Sequence, residues 1–183
     1  MMMRDRKKPN RRKFKGPGKG QDPPREPGSQ RLNKVIANSG VCSRREADKL
    51  IEVGLIKVNG KVIVEMGYKV KPGDQVKYQN KVLTGERKVF ILMNKPKDHI
   101  TTVSDTHDRK TVMHIVERMC KERVYPVGRL DRNTTGLLLF TNDGDMAKRL
   151  THPSYGIKKI YHAQLDKNVN AKDIHAIRNG VRL

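Results

Sequence analysis

The sequence predicts an α+β chain in two parts: a small αα-β module, then part of a mixed, largely antiparallel sheet with flanking helices. Three observations carry that prediction. Two short segments with apolar residues at helical spacing (Leu32, Val35, Ile36, then Ala47, Leu50, Ile51) precede short alternating stretches joined by Asn59-Gly60. A polar connector containing Thr84-Gly85 then breaks the pattern. Beyond it, the apolar runs 89–93, 124–127 and 137–140 alternate with helix-like stretches.

Residues 1–30 are poor in apolar side chains and rich in Arg, Lys, Pro and Gly, so they cannot bury enough surface to offset their ordering entropy; a disordered basic tail is expected. It reads either as an arm adding phosphate affinity through counterion release or as a solubilising tail. From Arg31 the first helix runs to Asn38-Ser39-Gly40. Ser43 and Glu46, three residues apart, form a capping box for the second helix, which Gly54 ends. Ile56 and Val58 alternate with Lys57, turn at Asn59-Gly60 and return through Val62 and Val64. Pro72-Gly73-Asp74 leads into Val76 and Tyr78. The expected domains are thus 31–84 and 85–183.

In the second part, a buried strand over 89–93 ends at Asn94-Lys95-Pro96, and 101–109 is polar and loop-like. Val112, Ile115, Val116 and Met119 recur at helical spacing. Leu137 to Phe140 is wholly apolar and closed by Asn142-Asp143-Gly144, which predicts a strand buried on both faces. A helix over 145–150 stops at His152-Pro153, a strand over 157–165 carries Tyr161, and Ala171, Ile174 and Ile177 mark a last helix.

Charge narrows the function classes. Lys and Arg number 40 against 19 Asp and Glu, a net charge of +21, which points to a polyanionic partner. No apolar run approaches the roughly 20 residues of a membrane span, and no apolar stretch follows the basic N-terminus as in a secretory signal. Cys42 and Cys120 form no CxxC pair, so a reduced, cytoplasmic setting and a soluble chain are expected. The six histidines show no HExxH or Cys/His ligand spacing, which argues against a metal site. The absence of a G-x-S-x-G elbow argues against a serine hydrolase.

Asp131 is the residue that chemistry singles out. It lies between Arg129 and Arg132, just before the 137–140 strand. Two guanidiniums beside one carboxylate favour its ionised form, and an anionic, pre-oriented carboxylate at a strand mouth suits a nucleophile. On spacing alone a turn-capping aspartate with solvent-facing arginines is the more ordinary reading.

Gly128-Arg129-Leu130-Asp131, followed by Thr134 and Gly136-Leu137-Leu138-Leu139, resembles the catalytic motif of pseudouridine synthases, in the branch that modifies single uridines of bacterial ribosomal RNA. Asn94-Lys95-Pro96-Lys97 resembles that family's first motif, and Lys159-Ile160-Tyr161 its Lys-x-Tyr motif. Arg31-Leu32-Asn33-Lys34-Val35, Ser43-Arg44-Arg45-Glu46-Ala47 and Val58-Asn59-Gly60 resemble the RNA-binding module named after ribosomal protein S4, with Asn33 where an aspartate is common.

The resemblance implies isomerisation of a ribosomal RNA uridine to pseudouridine. Asp131 would be the nucleophile, Tyr161 would stack on the base, and Arg129 would fill the gap left by the flipped nucleotide. Arg31, Lys34, Ser43, Arg44, Arg45, Lys95 and Lys159 would meet RNA. No cofactor is implied, because the chemistry is covalent catalysis plus positioning. A monomer and no membrane partner are expected. Phe140 and Leu150-Thr151-His152-Pro153 lean towards large-subunit RNA. The family's third motif lies later than Leu183, so a fragment of a longer product is expected, inactive by itself. The alternative is a non-catalytic RNA-binding protein using only the first module and the tail.

Overall fold

The computed structural model describes residues 28–181. The expected basic tail therefore lies outside the described residues except at its end, where Gln30 is already paired in a strand. The chain divides between Arg87 and Lys88 into two compact units.

The first unit runs β1 (Gln30–Arg31), α1 (Leu32–Asn38), α2 (Arg44–Glu52), β2 (Ile56–Val58), β3 (Lys61–Val62), β4 (Lys69–Val70), β5 (Val76–Tyr78) and β6 (Lys81–Val82). Leu32 and Ile36 are four residues apart on α1, and Ala47 and Ile51 are four apart on α2; all four are buried together. Ile56, Val58, Val70 and Val76 close the same core from the strands, and Lys57 points outward as the period of two requires. Four of these strands form an antiparallel sheet in the order β3-β2-β5-β6, while β1 pairs with β4.

The capping box is present. Ser43 Oγ accepts the Glu46 amide at 3.2 Å, and Glu46 Oε2 accepts the Ser43 amide at 2.7 Å. Asn59 and Gly60 both take positive φ, the conformation that lets a two-residue turn follow the twist of β2 and β3.

The expected polar connector after residue 81 proves to contain β6, which returns against β5 across Gln79 and Asn80. Both turn residues have positive φ, but Gln-Asn lacks the glycine that makes such a turn legible. Val64, expected in the second hairpin strand, lies beyond β3 and is exposed.

The second unit contains β7 (Phe90–Lys95), α3 (Met113–Val116), β8 (Tyr125–Val127), β9 (Gly136–Thr141), α4 (Gly144–Thr151) and α5 (Ala171–Asn179). β9 lies between β7 and β8, antiparallel to both, with Leu92 opposite Leu139 and Lys95 opposite Gly136. Met93, Leu138 and Phe140 face a core completed by Val112, Met113, Val116 and Val124. α3 is a single turn, and Met119, expected on its stripe, is exposed.

Two expectations fail here. β9 is not buried on both faces: Leu138 and Phe140 are buried, but Leu137 is 72% exposed. Nor does 157–165 form a strand; the segment is exposed throughout and belongs to none of the described sheets. Tyr161, Ala163 and Leu165 do alternate with polar neighbours, but the segment's amides find no ladder among the described residues.

Candidate active site

Asp131 begins a tight turn at the entrance to β9, closed by the Thr134 amide donating to the Asp131 carbonyl at 3.1 Å. Gly128 (φ +83°) and Gly136 (φ +138°) bracket the segment. A Cβ at either position would meet nothing within 4 Å, so backbone conformation, not space, calls for glycine. Arg129, Asp131 and Arg132 are all exposed, on a turn that leads into a central strand whose Leu138 and Phe140 are core.

The turn is held by the end of β7 and the loop after it. Lys95 is fully buried, and its ammonium donates to three carbonyls: Pro96 at 3.0 Å, Arg132 at 3.0 Å and Thr134 at 2.8 Å. An ammonium has three protons, and each has an acceptor, which is the condition for burying such a charge at tolerable cost. Lys95 therefore cannot meet RNA as expected; it faces the core side of β7 and clamps the two carbonyls that flank Asn133. A lysine beside a proline after an apolar strand gives no clue to its facing, which depends on the register with Gly136.

Two further ties were not anticipated. Thr101 Oγ1 donates to the Leu130 carbonyl at 2.8 Å and accepts the Leu130 amide at 3.2 Å, fixing the residue before Asp131. Asp98 Oδ1 receives the Arg132 guanidinium, from Nε at 2.7 Å and from Nη2, while Lys110 Nζ approaches Oδ2 at 3.9 Å. The hydrogen bond from Arg132 and then its charge hold the Asp98 carboxyl below the usual range, with Lys110 and His99 adding to the effect. The Arg132 fork, expected on Asp131, is thus given to Asp98. Side chains reaching 29 and 34 residues along the chain leave no local sequence signal.

The Lys-x-Tyr segment is not assembled on this turn. Tyr161 is 85% exposed and Lys159 is exposed, in the segment that forms no strand. At that exposure Tyr161 is not packed against the Asp131 turn.

In the first unit, Arg31, Arg44 and Arg45 are exposed and Lys34 is half-buried. The capping box places Arg44 and Arg45, both exposed, in the first turn of α2 and outside the buried Ala47–Ile51 stripe, where main-chain amides and guanidiniums suit phosphate oxygens. Asn33 links the two helices: its Nδ2 donates to Asp48 at 2.8 Å and its Oδ1 accepts Arg44 Nη2 at 3.3 Å. The amide thus orients an arginine and does more than drop a charge from the module. The Ser43 oxygen is engaged in the helix cap.

Comparison with known proteins follows this division. The family described as RNA pseudouridylate synthase matches residues 89–183, and the S4 domain matches residues 30–76. The ribosomal large subunit pseudouridine synthase B of Bacillus subtilis (strain 168) is 43% identical over 155 residues, 84% of this chain and 63% of that protein. An uncharacterized RNA pseudouridine synthase of Aquifex aeolicus (strain VF5) is also 43% identical over 155 residues, 84% of this chain and 62% of its own length. The dual-specificity RNA pseudouridine synthase RluF of Escherichia coli (strain K12) is 38% identical over 156 residues, 84% of this chain and 52% of its own length. The chain thus spans less than two thirds of the length of these curated relatives. Since the family match covers more than half of the chain, from β7 through the Asp131 turn to Leu183, the chain belongs to the RNA pseudouridylate synthase family.

Proposed function

We propose that the intact protein converts a uridine of large-subunit ribosomal RNA to pseudouridine, with Asp131 as nucleophile. The observation that carries this reading is the exposed Asp131 turn, fixed by a buried lysine on its carbonyls, by Thr101 on Leu130 and by Asp98 on Arg132. A carboxylate presented to solvent on a backbone this restrained is preorganised for attack.

The reaction breaks the bond between the ribose anomeric carbon and uracil N1, which ends protonated, and makes one from the same carbon to uracil C5, whose proton then leaves. Nothing is gained or lost overall. Asp131 attacks a flipped-out nucleotide, at uracil C6 or at the anomeric carbon, and the covalent bond holds the fragment while the base turns. Arg129, exposed two residues before it, fills the gap in the stack and offsets part of the unstacking cost of a few kcal/mol. Tyr161 stacks on the base once RNA draws its exposed segment over the turn. The S4 unit holds the RNA backbone through Arg31, Lys34, Arg44 and Arg45, a mode that suits structured RNA read by shape. The large-subunit assignment follows the name of the Bacillus subtilis relative.

Asp131→Asn in the intact protein is the direct test. The substitution keeps shape and polarity but removes the anionic oxygen, so pseudouridine formation should be lost while affinity for ribosomal RNA is kept. Turnover by the variant would place the nucleophile elsewhere. Binding without turnover in the unsubstituted protein would favour a non-catalytic RNA-binding role, a reading consistent with the unassembled Tyr161 segment.

A further inference from the structure

Asp98 combines two features with one consequence. Its φ is +64°, a left-handed conformation that an aspartate adopts at some cost and that a glycine would take freely. Its carboxylate, in that conformation, takes two hydrogen bonds from the residue next to the proposed nucleophile. A non-glycine residue in such a conformation persists where surrounding contacts determine it. Those contacts here lead to Arg132, with Lys110 on the second oxygen.

We infer that Asp98 is a positioning residue for Asp131: it takes the Arg132 fork that would otherwise be free to neutralise the neighbouring carboxylate, and so fixes the direction in which Asp131 faces RNA. Lys95 and Thr101 restrain only main-chain atoms of the turn, at 130, 132 and 134. Asp98 alone among these three residues acts on a side chain. An arginine within one residue of a nucleophilic carboxylate lowers its reactivity if it pairs with it, so where the fork rests bears on the chemistry as well as on the fold. The inference rests on the reading of Asp131 as nucleophile.

Three variants of the intact protein test it: Asp98→Asn, Asp98→Gly and Arg132→Gln. Both Asp98 variants should lower kcat for pseudouridine formation about three- to tenfold without changing RNA affinity, the scale of an exposed ion pair that also orients a reacting group. Asp98→Gly relieves the backbone, so its melting temperature should equal or exceed that of the unsubstituted protein while its kcat falls. A purely structural role predicts the reverse. Asp98→Asn added to Arg132→Gln should have no further effect on kcat.

A second readout needs no turnover. Hydrogen exchange of the Thr134 amide, which closes the turn, should quicken in both Asp98 variants. Unchanged kcat in Asp98→Gly, or a further loss in the double variant, would overturn the inference. If the unsubstituted protein forms no pseudouridine but Thr134 exchange quickens in the variants, the hold on the turn stands and the reading of the reaction falls. If turnover is normal and exchange and kcat are unchanged in the variants, the reaction stands and the role of Asp98 falls.

Discussion

The two units use their sheets differently. In the first, one face is covered by α1 and α2, and the other carries Lys57 and Lys77, paired across β2 and β5. In the second, the inner face is core, but by register Phe90 and Leu92 share the outer face with Leu137 and Leu139; Phe90, Leu92 and Leu137 are exposed. The first unit is an amphipathic sheet under two amphipathic helices, each of whose faces announces itself in sequence. The second is apolar on both faces and covered, among the described residues, on one. What differs between them is how much of each element's environment is written in its own period.

The largest effect that separates the units is expected at Lys95. Lys95→Met keeps the stem's volume but leaves the carbonyls of Pro96, Arg132 and Thr134 without their donor. Buried groups left unsatisfied should cost the second unit about 2–4 kcal/mol. The first unit should be untouched, since all three acceptors lie beyond Arg87. Denaturant unfolding followed by amide resonances of each unit would read this. A matching shift in the midpoint of the first unit would show that the two do not unfold separately.

That asymmetry also explains what the sequence reveals. The helices of the S4 unit, the Ser43–Glu46 box and the Asn59-Gly60 turn depend on neighbours within four residues, and each is where the pattern places it. β6 was hidden because its turn uses Gln79 and Asn80. At the site, the Asp131 motif is visible as a motif, but the facing of Lys95 and the roles of Asp98 and Thr101 depend on contacts 29 to 39 residues away. The 157–165 segment has the alternation of a strand at Tyr161, Ala163 and Leu165, but a strand exists only with a neighbour to pair its amides, and none of the described sheets supplies one.

A smaller effect belongs to the first unit. Ser43→Ala removes the oxygen that caps α2 and should lower that unit's stability by about 1 kcal/mol. The same residue was expected to meet RNA, and the two roles separate cleanly. Measured well below the melting temperature, RNA affinity should hold, because Arg44 and Arg45 remain on a folded helix. A clear loss of affinity by the folded variant would mean that the hydroxyl donates to RNA as well as accepting the Glu46 amide.

The smallest effect is acid sensitivity, and its distribution again divides the units. Asp98, Asp105 and Asp143 in the second unit, and Asp74 in the first, are held below the usual carboxylate range. Arg132 hydrogen-bonds Asp98, Arg109 hydrogen-bonds Asp105, Lys88 hydrogen-bonds Asp143, and the Lys71 amide donates to Asp74. For a depressed carboxylate the stabilisation is fully present above the unfolded-state pKa, near 4, and is lost as pH falls through the lower folded-state value. Lowering pH from about 5 should therefore loosen the second unit at several loops and the first at one turn. Asp105 is the most depressed of the four, since it accepts the amides of His107 and Arg109 as well as the Arg109 guanidinium. Its loop should let go last. Amide exchange followed through an acid titration would show the Met146 amide, held by Asp143, opening at higher pH than the Arg109 amide, held by Asp105. The opposite order would mean that the Lys88 pair, whose lysine is largely exposed, restrains its loop more firmly than the four hydrogen bonds that Asp105 accepts within one short turn.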